Sequence, residues 1–298
     1  MTGAPTAPGR RLLLVHAHPD DETLATGGTI ARYAAAPDTS VTLVTCTLGE
    51  QGEVIPPGLA MLEAGQADQL GGYRIGELAG ACAALGPVEH RFLGGVGRWR
   101  DSGMALAGHG VRAATPEVLH PRALARPEAF DAQVEALAAV LAEVRPQVVV
   151  TYPADGGYGH PDHVRAHEIT VAAVAAAGRP ARLAFTGVSR SALAAGLERI
   201  SRLPGLPFRL PVADDLPTVA DDAVTARIDV TDQRAARVAA LRAHATQVEV
   251  WAPAPPDDGA VVWALSNGIA QPLLDAEEFT VPDAAPGVLD DLFDGAPA

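Results

Sequence analysis

Five short apolar runs, at residues 11–17, 41–47, 90–93, 147–152 and 182–188, alternate with segments of helical periodicity. This alternation limits the fold more than any other feature, because strands separated by helices pair in parallel and build a layered α/β domain. Helices are expected at 23–35, 61–85, 129–144 and 163–177. In the third, Phe130, Val134, Leu137, Leu141 and Val144 recur three and four residues apart, and Pro127 suits a helix start. Val148, Val149 and Val150 are apolar on both faces, as a central parallel strand covered by helices requires.

The expected architecture is a Rossmann-like, doubly wound, mostly parallel sheet over residues 1–188, followed by a smaller C-terminal subdomain and tail over 189–298. In the latter the pattern loosens into a helical stretch to 203, a Pro-rich passage to 217, a strand at 226–230 and a helix at 233–247. The tail from Ala252 is rich in Pro, Asp and Gly and reads as loop or a loosely held lid. No internal repeat stands out, and the sequence sets no oligomeric state.

Charge and composition remove several functions. With 36 acidic against 22 basic residues and a net charge of -14, the chain repels phosphate backbones and anionic lipid heads, so nucleic acid is not an expected partner. All 22 basic residues are arginine. Without lysine there is no Walker-type phosphate lysine, no Schiff base and no kinase strand lysine. Cys46 and Cys82 lack the close spacing of thiolate metal sites and read as small buried apolar residues. Only four apolar residues follow Arg10 and Arg11 before His16, too few for a signal-peptide core, and no run approaches the roughly 18 apolar residues of a membrane span. A soluble cytoplasmic protein with no membrane partner is expected.

Two polar clusters fall where strands end. The first, His16-Ala-His-Pro-Asp-Asp-Glu22, closes the first apolar run; the second, from Gly156 through Tyr158 and His160 to Asp162 and His163, follows the run that ends at Tyr152. In open parallel sheets the functional crevice lies beyond the carboxyl ends of the strands, so neighbouring strands would bring both turns into one pocket. Two imidazoles and one carboxylate form a catalytic zinc set that leaves a fourth position for water. His18, Asp21 and His163 supply such a set, with Asp20 beside them as a carboxylate free to accept a proton. Aspartates at strand-to-helix turns also cap helices, and Asp20, Asp21 and Asp162 fit that role too. His163 and His167 share a helical face, but the residues between them lack the glutamate of zinc-protease helices, and His167 reads as a packing or solvated residue. His16 reads as core or as support for the site. His90, His109, His120 and His244 carry no motif that decides their role by spacing. No Gly-rich dinucleotide fingerprint follows the first strand, and the glycines at 94, 95 and 97 read as loop.

The strings "AHPDDE" and "GGYGHPDHV" resemble the LmbE-like (PIG-L) family of zinc-dependent N-deacetylases. "VTCTLGEQGEV", "ADQLGGYRIGEL", "LGGVGRWRDSGM" and "HATQV" extend the resemblance over most of the chain, towards the mycothiol-biosynthesis branch that deacetylates N-acetylglucosaminyl-inositol. The resemblance implies a cytoplasmic hydrolase whose metal ligands are His18, Asp21 and His163 and whose general base is Asp20. It implies that His160 and Tyr158 stabilise the tetrahedral intermediate or assist proton delivery, and that Arg74 and Asp101 bind sugar and inositol hydroxyls. Asp162 is expected to orient His160 from behind. The amine would be protonated by Asp20 or His160. Zinc is the implied metal, and ferrous iron suits the same ligands.

A sibling amidase that cleaves mycothiol S-conjugates shares the metal motifs but carries a lysine after HPDDE, where this chain has Thr23-Leu24-Ala25-Thr26-Gly27. The deacetylase is therefore the expected activity. A non-catalytic, metal-stabilised carbohydrate-binding module would need a closed ligand set with no adjacent base, and Asp20 argues against it.

Overall fold

A computed structural model of the chain describes residues 9–106, 113–178, 181–212, 215–253, 260–284 and 287–297. His109 lies outside them. The described strands are β1 (Arg10–His16), β2 (Thr39–Thr45), β3 (Val88–Phe92), β4 (Ala105–Leu106), β5 (Ala113–Ala114), β6 (Val148–Thr151), β7 (Arg182–Gly187), β8 (Ala226–Asp229), β9 (Glu249–Trp251), β10 (Val262–Ala264), β11 (Gln271–Pro272) and β12 (Ala276–Thr280). The α-helices are α1 (Asp21–Ala34), α2 (Leu70–Leu85), α3 (Phe130–Val144), α4 (Gly156–Gly159), α5 (Pro161–Ala176), α6 (Arg190–Ser201) and α7 (Arg234–Ala243).

Seven strands form the main sheet in the order β3-β2-β1-β6-β7-β12-β8. The first five are mutually parallel, and β12 runs antiparallel to both β7 and β8. β1 explains why helices cover both faces. Its Leu12 and Leu14 join a core with Ile30 of α1, Leu78 of α2 and Ala240 of α7, while Leu13 and Val15 join another with Leu137 of α3 and Ile169 of α5. All four β1 residues are fully buried, so the run is apolar on both faces as a doubly wound sheet demands. Strand order reverses between β1 and β6, which pair directly, Leu12 opposite Val148 and Leu14 opposite Val150. This is the switch point at which open α/β sheets form their crevice.

Two elements differ from the sequence expectation. The helix expected over 61–85 is a short 3₁₀ turn, Pro57–Leu62, followed by a break, with α2 starting at Leu70. Asp68 sits in the break at φ 54°, a left-handed conformation that no helix interior accepts. The tail expected to be loop contains β10, β11 and β12, so the main sheet itself extends past residue 188. The run Ala276-Glu-Glu-Phe-Thr280 hides its strand character because Glu277 and Glu278 are buried. Glu277 accepts the N–H groups of Gly28 and Thr29 inside α1 (2.7 and 2.8 Å), and Glu278 accepts from Ser189 N and Arg227 Nε (2.6 and 2.9 Å). Buried carboxylates are tolerated when hydrogen-bonded and paired in this way. Among the described residues no helix is long and apolar enough to cross a membrane.

Candidate metal centre

The turn after β1 and the turn after β6 converge at the switch point. Asp21 is the hinge of the cluster: its Oδ2 lies 3.2 Å from His18 Nδ1 and 3.4 Å from His163 Nε2. Donors about 2.1 Å from a tetrahedral ion stand about 3.4 Å apart, so each of these two contacts to Asp21 has the spacing of a ligand pair. His163 Nδ1 donates to the Gly156 carbonyl (3.2 Å), so a neutral ring carries its lone pair on Nε2, which is buried, makes no hydrogen bond and would be satisfied by a metal. The His18, Asp21 and His163 set is not among the groupings whose ligand atoms all lie within 4.8 Å of one another; among the described residues these are two, His18 with His160 and His163, and His18 with Asp101 and Asp162. In the latter the carboxylates face the opposite ring nitrogen of His18, Nε2, at 3.5 Å from Asp101 and 3.3 Å from Asp162. A carboxylate behind a histidine fixes the ring and raises its basicity, the usual support for a metal ligand.

The local folding explains how each group is held. Asp20 precedes α1 but makes no side-chain cap bond, so its carboxylate is available for other work. Its backbone sits at φ 108°, ψ −37°, a region that costs a non-glycine residue about 1–3 kcal/mol. Arg74 Nη2 reaches the Asp20 carboxylate at 2.9 Å and also donates to Pro19 O, while Nη1 donates to Gly49 O at 2.9 Å. At the second turn, His160 Nδ1 accepts the N–H of Asp162 (3.2 Å) and caps α5, so a neutral His160 ring carries its proton on Nε2. Gly156 is at φ +67°, and a Cβ there would stand 2.8 Å from His163 Cβ, so this turn approaches the site only with glycine.

Electrostatics follow from burial against charge. Burial pushes Asp20 up to about 6, with Arg74 pulling the other way and Asp21 adding to the rise. Burial also opposes ionisation of Asp21, but His163 and His18 outweigh it and hold the carboxyl well below the usual range. His18 is the converse: burial disfavours its charge, while Asp101, Asp162 and Asp21 drive its pKa well above that of an ordinary histidine. Burial, together with His18 and His163, lowers His160 to about 2. Four carboxylates thus face one guanidinium and a few imidazoles, an excess of negative charge that a dication relieves.

The nine residues singled out from the sequence do not all do what spacing suggests. His18, Asp20, Asp21, Tyr158, His160, His163, Arg74 and Asp101 all line one cleft of about 930 Å³. Tyr158 lies edge-on to His163, with ring centroids 5.1 Å apart. The Asp162 carboxylate, expected behind His160, instead takes Ser102 N–H (2.9 Å) and faces His18, because capping by His160 engages only the Asp162 backbone. Asp101 Oδ1 and Oδ2 accept from Gly103 N and Gln51 N (2.8 and 3.0 Å). His16 is a buried neutral core histidine, bonded to Thr26 Oγ1 at 2.9 Å and lowered to about 4 by burial. His167 packs on Phe185 and bonds the Tyr152 carbonyl. Sequence reasoning missed Tyr152, whose hydroxyl donates to Asp21 Oδ2 (2.6 Å) and accepts from Ala17 N (2.8 Å) while its ring stacks on His163 at 4.1 Å. Its position just past β6, in register with the end of β1, was the available signal.

Residues 13–174 match the PIG-L family model, described as GlcNAc-PI de-N-acetylase. A protein of Actinosynnema mirum named 1D-myo-inositol 2-acetamido-2-deoxy-alpha-D-glucopyranoside deacetylase is 55% identical over 97% of this chain and 98% of its own. A Saccharopolyspora erythraea protein with the same name, numbered 1, is 53% identical over 97% of this chain and 95% of its own. Among solved structures, the zinc inhibited form of teicoplanin deacetylase Orf2 superposes with a TM-score of 0.51 at 18% identity, over 92% of this chain and 100% of that one, a likeness of fold. With more than half its length matched to the family model and close relatives aligned almost end to end, the chain belongs to the PIG-L (GlcNAc-PI de-N-acetylase) family.

Proposed function

We propose that the protein hydrolyses the acetamide of N-acetylglucosaminyl-inositol, releasing acetate and glucosaminyl-inositol in mycothiol biosynthesis. The observation that carries this is that His18 Nδ1 and the orphaned His163 Nε2, from two distant turns, both lie against Asp21 Oδ2 in a cleft that Asp20 also lines. The names of the full-length relatives support the choice of substrate.

His18, Asp21 and His163 would hold a divalent ion, zinc in this reading, with ferrous iron compatible with the same donors. When bound, such an ion supplies Lewis acidity, polarising the carbonyl and acidifying water from a pKa of about 15.7 towards about 7. Asp20 takes the proton of the attacking water, its value near 6 suiting a base at neutral pH. The neutral His160 ring, its proton on Nε2, and the Tyr158 hydroxyl donate to the developing oxyanion, each such donor being worth about 3 kcal/mol. Because His160 acts as a neutral donor, the proton that follows the departing nitrogen comes from Asp20. Arg74 and Asp101, lining the same cleft, contact substrate hydroxyls, and Arg74 also steadies Asp20.

The test is acetate release from N-acetylglucosaminyl-inositol with and without chelator, alongside kcat/KM on a mycothiol S-conjugate. Asp20→Ala should collapse kcat while keeping bound zinc, and His163→Ala should lose metal. Full activity in both variants, or no acetate from the metal-loaded protein, overturns the reading.

A further inference from the structure

The HPDDE segment ends in a glutamate that the proposed chemistry leaves unused. Glu22 is fully buried. Its Oε2 accepts the backbone N–H of Asp20 at 2.9 Å, the residue whose backbone is held at φ 108°. Its Oε1 accepts from Thr23 Oγ1 (2.6 Å) and faces His244 Nε2 at 2.7 Å, from 222 positions along the chain. His244 is also fully buried. It follows α7 and is anchored by its own backbone, donating to Leu241 O and accepting from Gln247 N and Val248 N. It lies outside residues 13–174, the span matched by the family model.

We propose that His244 is a positioning residue for the reaction: by holding the Glu22 carboxylate, it fixes the backbone of Asp20 in the conformation that presents the base to the cleft. A strained residue keeps its conformation only where its surroundings over-determine it. Here the side chain is fixed by Arg74, the carbonyl by the N–H groups of Thr23 and Leu24, and the N–H by Glu22. The last hold depends on a carboxylate that is fully buried, and a buried carboxylate keeps its place only when hydrogen-bonded to a partner. His244 is that partner. A tie that merely fastened α7 to α1 would need no contact with the base; this one ends on its amide. The inference rests on Asp20 being the general base.

The test uses the zinc-loaded full-length chain. His244→Leu fills the space but cannot bond Glu22, and its kcat should fall about 10–100-fold with KM changed less than about twofold and zinc still near one per chain. His244→Gln, whose amide reaches Glu22, should recover most of the loss. In an Asp20→Ala background no carboxylate remains to position, so adding His244→Leu should lower the residual rate by less than about twofold. An equal loss in both backgrounds, or a loss confined to melting temperature with kcat intact, overturns the proposal. Should His244→Leu fail to fold, His244→Asn, too short to reach Glu22, replaces it in the same comparison. If Asp20→Ala alone keeps full activity, the fault lies with the base assignment and not with His244.

Discussion

Replacing Tyr152 by Phe removes one oxygen from the floor of the site and leaves the ring stacked on His163. That oxygen bridges the two turns, taking the Ala17 N–H and donating to Asp21 Oδ2. Its loss leaves the buried Ala17 amide unsatisfied, at a cost of about 1–3 kcal/mol. For a chain of this size, that is a fall in Tm of about 2–4 °C per kcal/mol. The larger effect should be on metal. Without the hydroxyl the Asp21 carboxylate keeps only the His18 backbone N–H (2.9 Å) as a backbone hold, and loss of such support behind a ligand weakens affinity about 10–100-fold, or about 1.4–2.7 kcal/mol. Zinc that stabilises the folded wild type should stabilise the variant by that much less at the same free concentration. Competition with a chromophoric chelator gives the affinity, and melting of apo and zinc-loaded forms separates the two costs. If the apo Tm falls while zinc affinity stays within about twofold, the hydroxyl serves Ala17 alone and Asp21 is held by other contacts.

Gly28→Ala should cost about 1–3 kcal/mol by overpacking, because the added methyl would lie 2.5 Å from Val230 Cβ; Val230→Gly, which removes that carbon, should relieve it, and additive losses in the double variant would show that the clash is not the cause. Arg74→Ala should lower kcat by releasing Asp20 and raise KM through lost hydroxyl contacts; steady-state kinetics in which KM alone changes would separate Arg74 from the base. Asp291 accepts from Phe293 N, Tyr33 Oη and Arg10 Nη1 at 2.9, 2.8 and 2.8 Å, which hold its pKa below 3.8 although partial burial pulls upward. Its contribution is therefore complete above that value and lost as pH falls through the depressed pKa. The gap in Tm between wild type and Asp291→Ala should be full at neutral pH and close in acid; a gap that stays constant would refute it.

The sequence made the parallel half of the sheet legible because its strands are apolar on both faces and its helices carry three- and four-residue periodicity. It made the meeting of the two polar turns legible because histidines and aspartates fall just after two strand ends that topology places side by side. β12 stayed hidden because strand propensity is read from apolar residues, whereas Glu277 and Glu278 are buried by long-range bonds to α1, Ser189 and Arg227. The same physics concealed the role of His244: a lone histidine acquires meaning only from Glu22, 222 positions away. Asp162 shows the converse limit, since adjacency to His160 in sequence gave the wrong partner for its carboxylate.

These hidden contacts have a common target. α1 carries the Asp20-Asp21-Glu22 turn at its N-terminus, and residues far along the chain grip it in two places. His244 holds Glu22 at the first turn, and Glu277, 3.6 Å from Arg237, takes two N–H groups midway along the helix. Those two N–H groups donate to a carboxylate of β12, which ties the middle of α1 to that strand. The parallel sheet brings His18, Asp21 and His163 to one end of β1 and β6, while the helix that carries Asp21 is also held by residues beyond 225. The C-terminal segment therefore both lines the cleft, through residues such as Arg237, Gln247 and Trp263, and fastens the helix that follows Asp20.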